Sequence, residues 1–251
     1  MRSWPKALVH CDADAFYVSC EVLRRPDLKG KPLVVMGKLG GIVLSKSYDL
    51  KKKGVATGMP IWEATKMVPD LRALPADFEF YNDISFRLME ALKSWTPSVE
   101  VYSVDEAFLD IQGFRRLYKK DYGGIAFDIK EDIKKRIGIT VSMGVSVTKT
   151  LAKMASEVKK PDGVTVVSWK GISPFLARRP IEDVPGIGVN SQALLSKFHI
   201  KTCADFVNLQ EISVRKLMHR PGVNLWKELQ GIQVFPIESR LPPNKMITRT
   251  S

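Results

Sequence analysis

The chain has 251 residues, 45% of them hydrophobic and 26% charged, with a formal net charge of +12. This composition excludes a disordered or collagen-like chain, and the lack of any long apolar run excludes a bundle of membrane spans. The cationic excess points to a polyanionic partner, with nucleic acid first among the candidates.

Cys11, Cys20 and Cys203 are odd in number and lack metal-type spacing, which predicts reduced thiols in a cytosol-like compartment. The amino terminus MRSWPKALVHCDAD has no signal-peptide core, because acids follow directly on a very short apolar run. ALVHCDADAFYVSCEVL opens as a buried strand at Leu8 to Cys11. It then shifts to helical spacing, with Phe16, Cys20 and Leu23 on one face, until Pro26 and Gly30 break it. KPLVVMG and IVLSKSY are β-branched runs bounded by proline and glycine. KSYDLKKKG reads as a helix stopped by Gly54, and IWEATKMVP as one stopped by Pro69.

DISFRLMEALKSW is amphipathic, with Ile84, Leu88, Ala91, Leu92 and Trp95 along one stripe. VEVYSVDEAFLDI supplies strand, turn and strand, and GIAFDIKEDIKKRIG a second amphipathic helix. The strand ITVSMGVSV, the helix KTLAKMASEV and the strand VTVVS follow. The order strand–helix–strand–strand–helix–strand is that of a ferredoxin-like split βαβ sheet, with a small insertion between about 24 and 80. From about 171 onward no strand-like run occurs, so an all-helical unit is expected. FPIESRLPPNKMITRTS, with three prolines, reads as a linker.

The basic residues are uneven. KSYDLKKKG carries four lysines against one acid, and TKTLAKMASEVKKP carries Lys149, Lys153, Lys159 and Lys160 against Glu157 alone. Within the strand-like VYSVDEAFLDI, Asp105 and Glu106 stand side by side where neither has strand propensity. In a ferredoxin-like sheet the first strand, ending in Asp12, can lie beside this hairpin. Three carboxylates converging on one edge would repel unless a divalent cation sits among them. Hard cations such as Mg²⁺ take oxygen ligands, and two of them can clamp the attacking and leaving oxygens of a phosphoryl transfer. An Asp-Glu pair in a turn is common on surfaces, but the apolar residues on both sides of this one predict a buried base.

DADAFYVSCE (12–21), LKGKPLVV (28–35), SYDLKKKGVATGMP (47–60), YSVDEAFLDI (102–111), KTLAKMASEVKKPDG (149–163) and DVPGIG (183–188) together resemble the catalytic core of a Y-family DNA polymerase. This is the DinB/UmuC group of translesion enzymes, and the likeness runs in order from about residue 7 to about 235. The resemblance implies an α/β fold with a ferredoxin-like palm (1–23 and 81–170) and a small α/β fingers insertion (24–80). An all-helical thumb containing a helix-hairpin-helix (171–235) and a linker (236–251) toward a little finger domain, absent from this chain, complete it. The implied activity is low-fidelity, low-processivity template-directed synthesis from dNTP on primer–template DNA, using two Mg²⁺ ions with Mn²⁺ as a substitute. A monomer in the bacterial cytoplasm or nucleoid is implied, with a sliding clamp reached through a region absent from this chain.

The resemblance also assigns residues. Asp12, Asp105 and Glu106 correspond to the metal-binding, catalytic carboxylates, with the backbone carbonyl of Ala13 as a further ligand. Asp14 is no ligand in the family and is expected to make structural hydrogen bonds. Tyr17 falls at the steric gate under the incoming sugar, with Phe16 beside it packing into the palm. Ser45, Tyr48 and Lys51 match the fingers residues that hold the triphosphate, and Lys160 a palm lysine that does the same. Position 51 is often arginine in the family, so lysine exchanges a planar fork for a point charge. Val43 and Leu44 would lie against the nascent base pair, Leu44 being bulkier than the small residues usual there. Ser103 would lie near the primer end, and Lys149 and Lys153 would contact DNA. Gly186 and Gly188 would form the turn whose amides approach a DNA phosphate. A nucleotidyl cyclase and a catalytically inactive accessory protein of the same family are the rival readings. The lysine-rich patches argue against the first and the retention of all three acids against the second.

Overall fold

The computed structural model describes residues 4–37 and 41–239. Eight strands form among them: β1 (Leu8–Ala13), β2 (Leu33–Met36), β3 (Val43–Lys46), β4 (Arg72–Pro75), β5 (Val99–Val101), β6 (Glu106–Asp110), β7 (Val141–Ser146) and β8 (Val164–Val166). They make a five-stranded sheet in the order β5-β6-β1-β7-β8 and a three-stranded sheet in the order β3-β2-β4. β1 is antiparallel to both β6 and β7, and β5 is antiparallel to β6. This is the ferredoxin-like arrangement, with β8 added in parallel beyond β7.

The central strand, LVHCDA, is buried along its whole length. Its alternation divides the two faces of the sheet. Val9, Cys11 and Ala13 join the main core with Val141, Met143 and Val145 and with Ile84, Leu88, Leu92, Ile125, Ile129 and Ile133 of the helices Phe78–Lys93 and Tyr122–Ile137. His10 and Asp12 point to the opposite face, where the helix Lys149–Ser156 and the residues after it lie. Both large helices begin at an aspartate cap: Asp77 accepts from the Phe80 amide and Asp121 from the Gly124 amide. The second ends at Gly138, whose φ of 88° terminates the turn.

A separate small core of Val34, Val43, Leu50, Val55, Ala64 and Val68 holds the insertion together. A third, from Val147 to Leu229, unites the helices Ile172–Leu176, Val189–Lys197, Cys203–Val207 and Glu211–Leu229. The last of these is kinked at His219, two residues before Pro221. Cys11, Cys20 and Cys203 are free and buried. Among the described residues no helix is long and apolar enough to cross a membrane.

Three elements differ from expectation. β1 runs two residues past Cys11, because β6 and β7 pair with it as far as Asp12 and Ala13. The helix expected from Asp83 begins five residues earlier, at Phe78, behind the Asp77 cap. β4 escapes notice because RALP is short, lacks β-branched residues and ends in proline, yet it pairs in parallel with β2. Of the expected linker, residues 240–251 lie outside those described.

The helix Lys149–Ser156 can sit directly on β7 only because residue 144 has no side chain. A Cβ there would come within 2.0 Å of the Ala152 carbonyl oxygen and 2.3 Å of the Ser156 amide. Gly144→Ala is therefore expected to destabilise the protein by about 3 kcal/mol or more, by forcing backbone apart at a packed contact. Urea denaturation checks this; an unchanged midpoint would contradict the close approach.

Candidate active site

The sheet register delivers the acids to one place. Asp12 is paired with Glu106 on one side of β1 and with Ser142 on the other. The Ala13 amide donates to the Asp105 carbonyl at 2.9 Å, which fixes the turn preceding β6 against the end of β1. Asp12, Asp105, Glu106 and Ala13 consequently line one cavity of about 360 Å³ between the large sheet and the insertion.

Two lysines compensate the charge. Lys160 Nζ lies 2.7 Å from Asp12 and 2.6 Å from Glu157. Lys153 Nζ bonds both carboxylate oxygens of Glu106 at 2.6 Å. Burial lifts Asp12 to about 7, although Lys160 opposes the rise. Burial alone would lower Lys160, but Asp12 and Glu157 outweigh it and raise its value, keeping that ammonium charged. Burial would also raise Glu106; His10 and the Lys153 ammonium overcome it and hold the carboxyl down to about 2. Ammonium groups thus take the compensating role that the sequence reading gave to a divalent cation alone. Asp105 is held differently: its Oδ1 accepts from Ser103 Oγ at 2.6 Å.

Asp14 is buried and accepts from Tyr48 Oη at 3.2 Å, Ser142 Oγ at 2.7 Å and the Asp162 amide at 2.8 Å. It ties the insertion, β7 and the loop after Lys160 to the strand carrying Asp12. Structural hydrogen bonding, as expected, is what this acid does.

Of the remaining expected residues, Phe16, Tyr17, Leu44, Ser45, Tyr48, Lys51 and Lys160 line the same cavity. Tyr17 is stacked on Tyr81, ring centroids 4.7 Å apart, which fixes its ring at the cavity wall. Phe16 is buried against the core. Val43 is a correction. Its side chain is wholly enclosed in the core of the insertion, because β3 turns Leu44 to the cavity and Val43 to the opposite face. Ile42, one residue earlier and 40% exposed, shares the parity of Leu44.

Lys149 and Lys153 are both ion-paired: Lys149 bonds both oxygens of Glu100 at 2.6 and 2.7 Å, and Lys153 bonds Glu106. With Gly186, they border a second, largely apolar cavity of about 340 Å³ that also includes Tyr102, Phe108 and Leu225. Gly186 has φ 95°, the left-handed turn expected of the hairpin, and Gly188 caps the helix Val189–Lys197 with open space beside its Cα.

The sequence reading missed His10, Lys46, Thr57 and Glu157. Lys46, Thr57 and Glu157 line the main cavity, Lys46 donating to Thr57 Oγ1 at 2.9 Å. His10 is buried, its Nδ1 2.8 Å from Ser156 Oγ and its Nε2 3.8 Å from Glu106. Its place two residues before Asp12 on a strand was the available signal. His10, Asp12 and Glu106 offer ligand atoms within 4.8 Å of one another, a cluster that Asp105 borders without joining. Two carboxylates, a third beside them and a buried imidazole nitrogen without a partner are donors that fit a divalent cation.

Residues 11–157 match the model of the impB/mucB/samB family. The chain is 34% identical over 244 residues to DNA polymerase IV of Alkaliphilus oremlandii, covering 96% of this chain and 61% of that protein. It is 35% identical to DNA polymerase IV of Staphylococcus epidermidis, covering 90% and 64% respectively. The chain therefore spans about three fifths of the length of these curated relatives. Among solved structures it resembles DinB from Sulfolobus solfataricus, with a TM-score of 0.83 at 30% identity over 93% of this chain and 69% of that one. An insertion ternary complex of Dbh DNA polymerase matches with a TM-score of 0.82 at 31% identity, over 92% and 69%.

The charge arrangement gives a pH signature. Glu106 moves from an ordinary 4.5 down to about 2 on folding, so its ion pair contributes fully above about pH 4.5 and is lost as the pH falls from there toward 2. Asp12, raised to about 7, has the opposite sign and costs stability as the pH climbs from about 4 to 7. Thermal melts should show the wild type losing more stability than Glu106→Gln between about pH 4.5 and 3. Parallel losses in the two proteins would contradict the pairing.

Proposed function

This chain belongs to the impB/mucB/samB family of Y-family polymerases, and from that premise we propose that it catalyses template-directed DNA synthesis across damaged template. The proposed reaction joins a dNTP to a primer 3′-hydroxyl and releases pyrophosphate. The observation that carries this reading is the convergence of the β1 and β6 acids at a cavity whose other walls hold Tyr17, Ser45, Lys51 and Lys160. In this reading the palm is 1–23 with 81–170, the fingers 24–80 and the thumb 171–235.

Asp12, Asp105 and Glu106, with the Ala13 carbonyl, would hold two Mg²⁺ ions, for which Mn²⁺ would substitute. Bound there, the ions would acidify the primer hydroxyl and neutralise charge on the leaving phosphates. Lys160, held at Asp12, is within the cavity and would be freed to meet the triphosphate once other cations satisfy that carboxylate. Ser45, Tyr48 and Lys51 would receive the triphosphate from the fingers side, opposing the charge that develops on the leaving group. Tyr17, rigid against Tyr81, would close the space a ribose 2′-hydroxyl needs. The Gly186–Gly188 turn would offer amides to a DNA phosphate without reading sequence. Partners in this reading are primer–template DNA and dNTP, bound by a monomer. A non-catalytic bridging role is not favoured, since every acid needed for the chemistry is retained.

Primer extension tests the reading. Asp105→Ala should lower the extension rate by about three orders of magnitude at unchanged fold. Tyr17→Ala should leave dNTP incorporation measurable while reducing discrimination against rNTP about a hundredfold. Extension that is equal in wild type and Asp105→Ala would overturn the proposal.

A further inference from the structure

The stretch FRRLYKK (114–120), between β6 and the helix Tyr122–Ile137, carries four cations and no acid, and none of them lines the catalytic cavity. It lies at the opposite end of the large sheet from the acids. Leu8 at the start of β1 pairs with Asp110 at the end of β6, whereas Asp12 pairs with Glu106. Four strand steps, about 13 Å, separate Glu106 from Asp110 before the stretch begins. Here Arg115, Arg116, Lys119 and Lys120 edge an open basin of about 820 Å³. Its floor is aromatic and fixed. Tyr122 is buried, meets Trp4 edge-on with centroids 5.1 Å apart, and accepts from the Gly113 amide at 3.3 Å. Arg115 lies over the Tyr122 ring, 5.6 Å from its centroid.

The charge of this basin is not balanced locally. Lys120 is paired with Asp128 at 2.7 Å, but Arg115, Arg116 and Lys119 have no ion-pair partner among the described residues. The one acid on the rim, Asp121, is a helix cap whose Oδ1 already accepts from the Gly124 amide at 2.7 Å. Lys119 has φ 53°, a left-handed conformation that glycine or asparagine would hold at less cost. Like charges gathered so closely repel one another, and an anion among them removes that repulsion.

We propose that this basin binds a short oligophosphate anion, of which the triphosphate chain of a nucleotide is the nearest example. Two guanidinium groups offer planar forks to phosphate oxygens, and the lysine adds a point charge. The volume is that of a small-molecule site. A nucleic-acid backbone fits less well, because it spreads single charges along a strand. Here three unpaired cations are concentrated within five residues, bounded in the chain by Asp110 and Asp121. The basin shares no residue with the catalytic cavity, so it is a second site and stands independently of the polymerase reading.

The full chain, labelled with ¹⁵N-tryptophan, is titrated with sodium tripolyphosphate in metal-free buffer and followed by NMR. The Trp4 indole signal is identified by its loss in Trp4→Phe. The expected result is a saturable shift of Trp4, with the Trp169 and Trp226 signals unmoved. The double variant Arg115→Gln/Arg116→Gln, its fold checked by thermal melting, should bind about tenfold more weakly, since charge-assisted phosphate contacts are lost. Lys119→Gln, which leaves the Arg115–Tyr122 contact intact, should also weaken binding. Lys51→Gln, in the catalytic cavity, should leave the Trp4 shift as it is, and dATP should reproduce that shift. The absence of a saturable Trp4 shift would overturn the inference, as would full affinity in the folded double variant or loss of the shift in Lys51→Gln. A thymidine oligonucleotide that saturates Trp4 at a lower phosphate concentration than tripolyphosphate would also overturn it, by making the basin a nucleic-acid contact.

Discussion

Asp12 and Glu106 face one another across a single rung of the β1–β6 ladder, with Asp105 in the adjoining turn. Carboxylates so close, in a place from which water is largely removed, repel strongly unless positive charge is brought to them. The surrounding structure answers that demand. Lys153 reaches Glu106 from the helix Lys149–Ser156, and Lys160 reaches Asp12 from the loop that follows it. Both depend on the seating of that helix over β7, where Gly144 lets backbone meet backbone.

The rest of the architecture holds this charge cluster in register. Asp14, two residues beyond Asp12, gathers donors from Tyr48, Ser142 and the Asp162 amide, so three segments remote in sequence are tied to the strand carrying the acids. Tyr81 serves Tyr17 in the same way, stacking on its ring while its own hydroxyl is held by the buried Glu21. On the helical side, Glu228 is fully buried and accepts from the amides of Thr150, Val234 and Phe235, joining the last helix to the start of the helix Lys149–Ser156. Polar groups buried at such junctions specify one arrangement because each would be costly if left unpaired.

Much of this was legible in the sequence where pattern and chemistry coincide. The amphipathic stripe of Ile84, Leu88 and Leu92, the alternation around Asp105 and the glycine and proline stops located the large sheet and its helices. The adjacent acids and the motifs around Asp12 located the cavity. What escaped was set by tertiary pairing. RALP carries no strand signal of its own and is a strand only because β2 lies beside it. Val43 and Leu44 read alike as apolar neighbours, and only the parity of β3 separates the one enclosed in the insertion's core from the one at the cavity wall. The ion pairs of Lys149 and Lys153 were not foreseen because Glu100 and Glu106, their partners, lie about fifty residues away in sequence. His10 looked like part of an apolar run, since a strand buried on both faces hides which residues face the site.

The central claim is that these acids, now neutralised by lysine, are built to exchange that partner for divalent cations. The most direct measurement is an anomalous-scattering crystal structure with primer–template DNA, an incoming nucleotide that cannot react, and Mn²⁺. The account predicts anomalous density bounded by Asp12, Asp105 and Glu106, with the Lys153–Glu106 and Lys160–Asp12 pairs opened. Density elsewhere with both lysine pairs intact would contradict it.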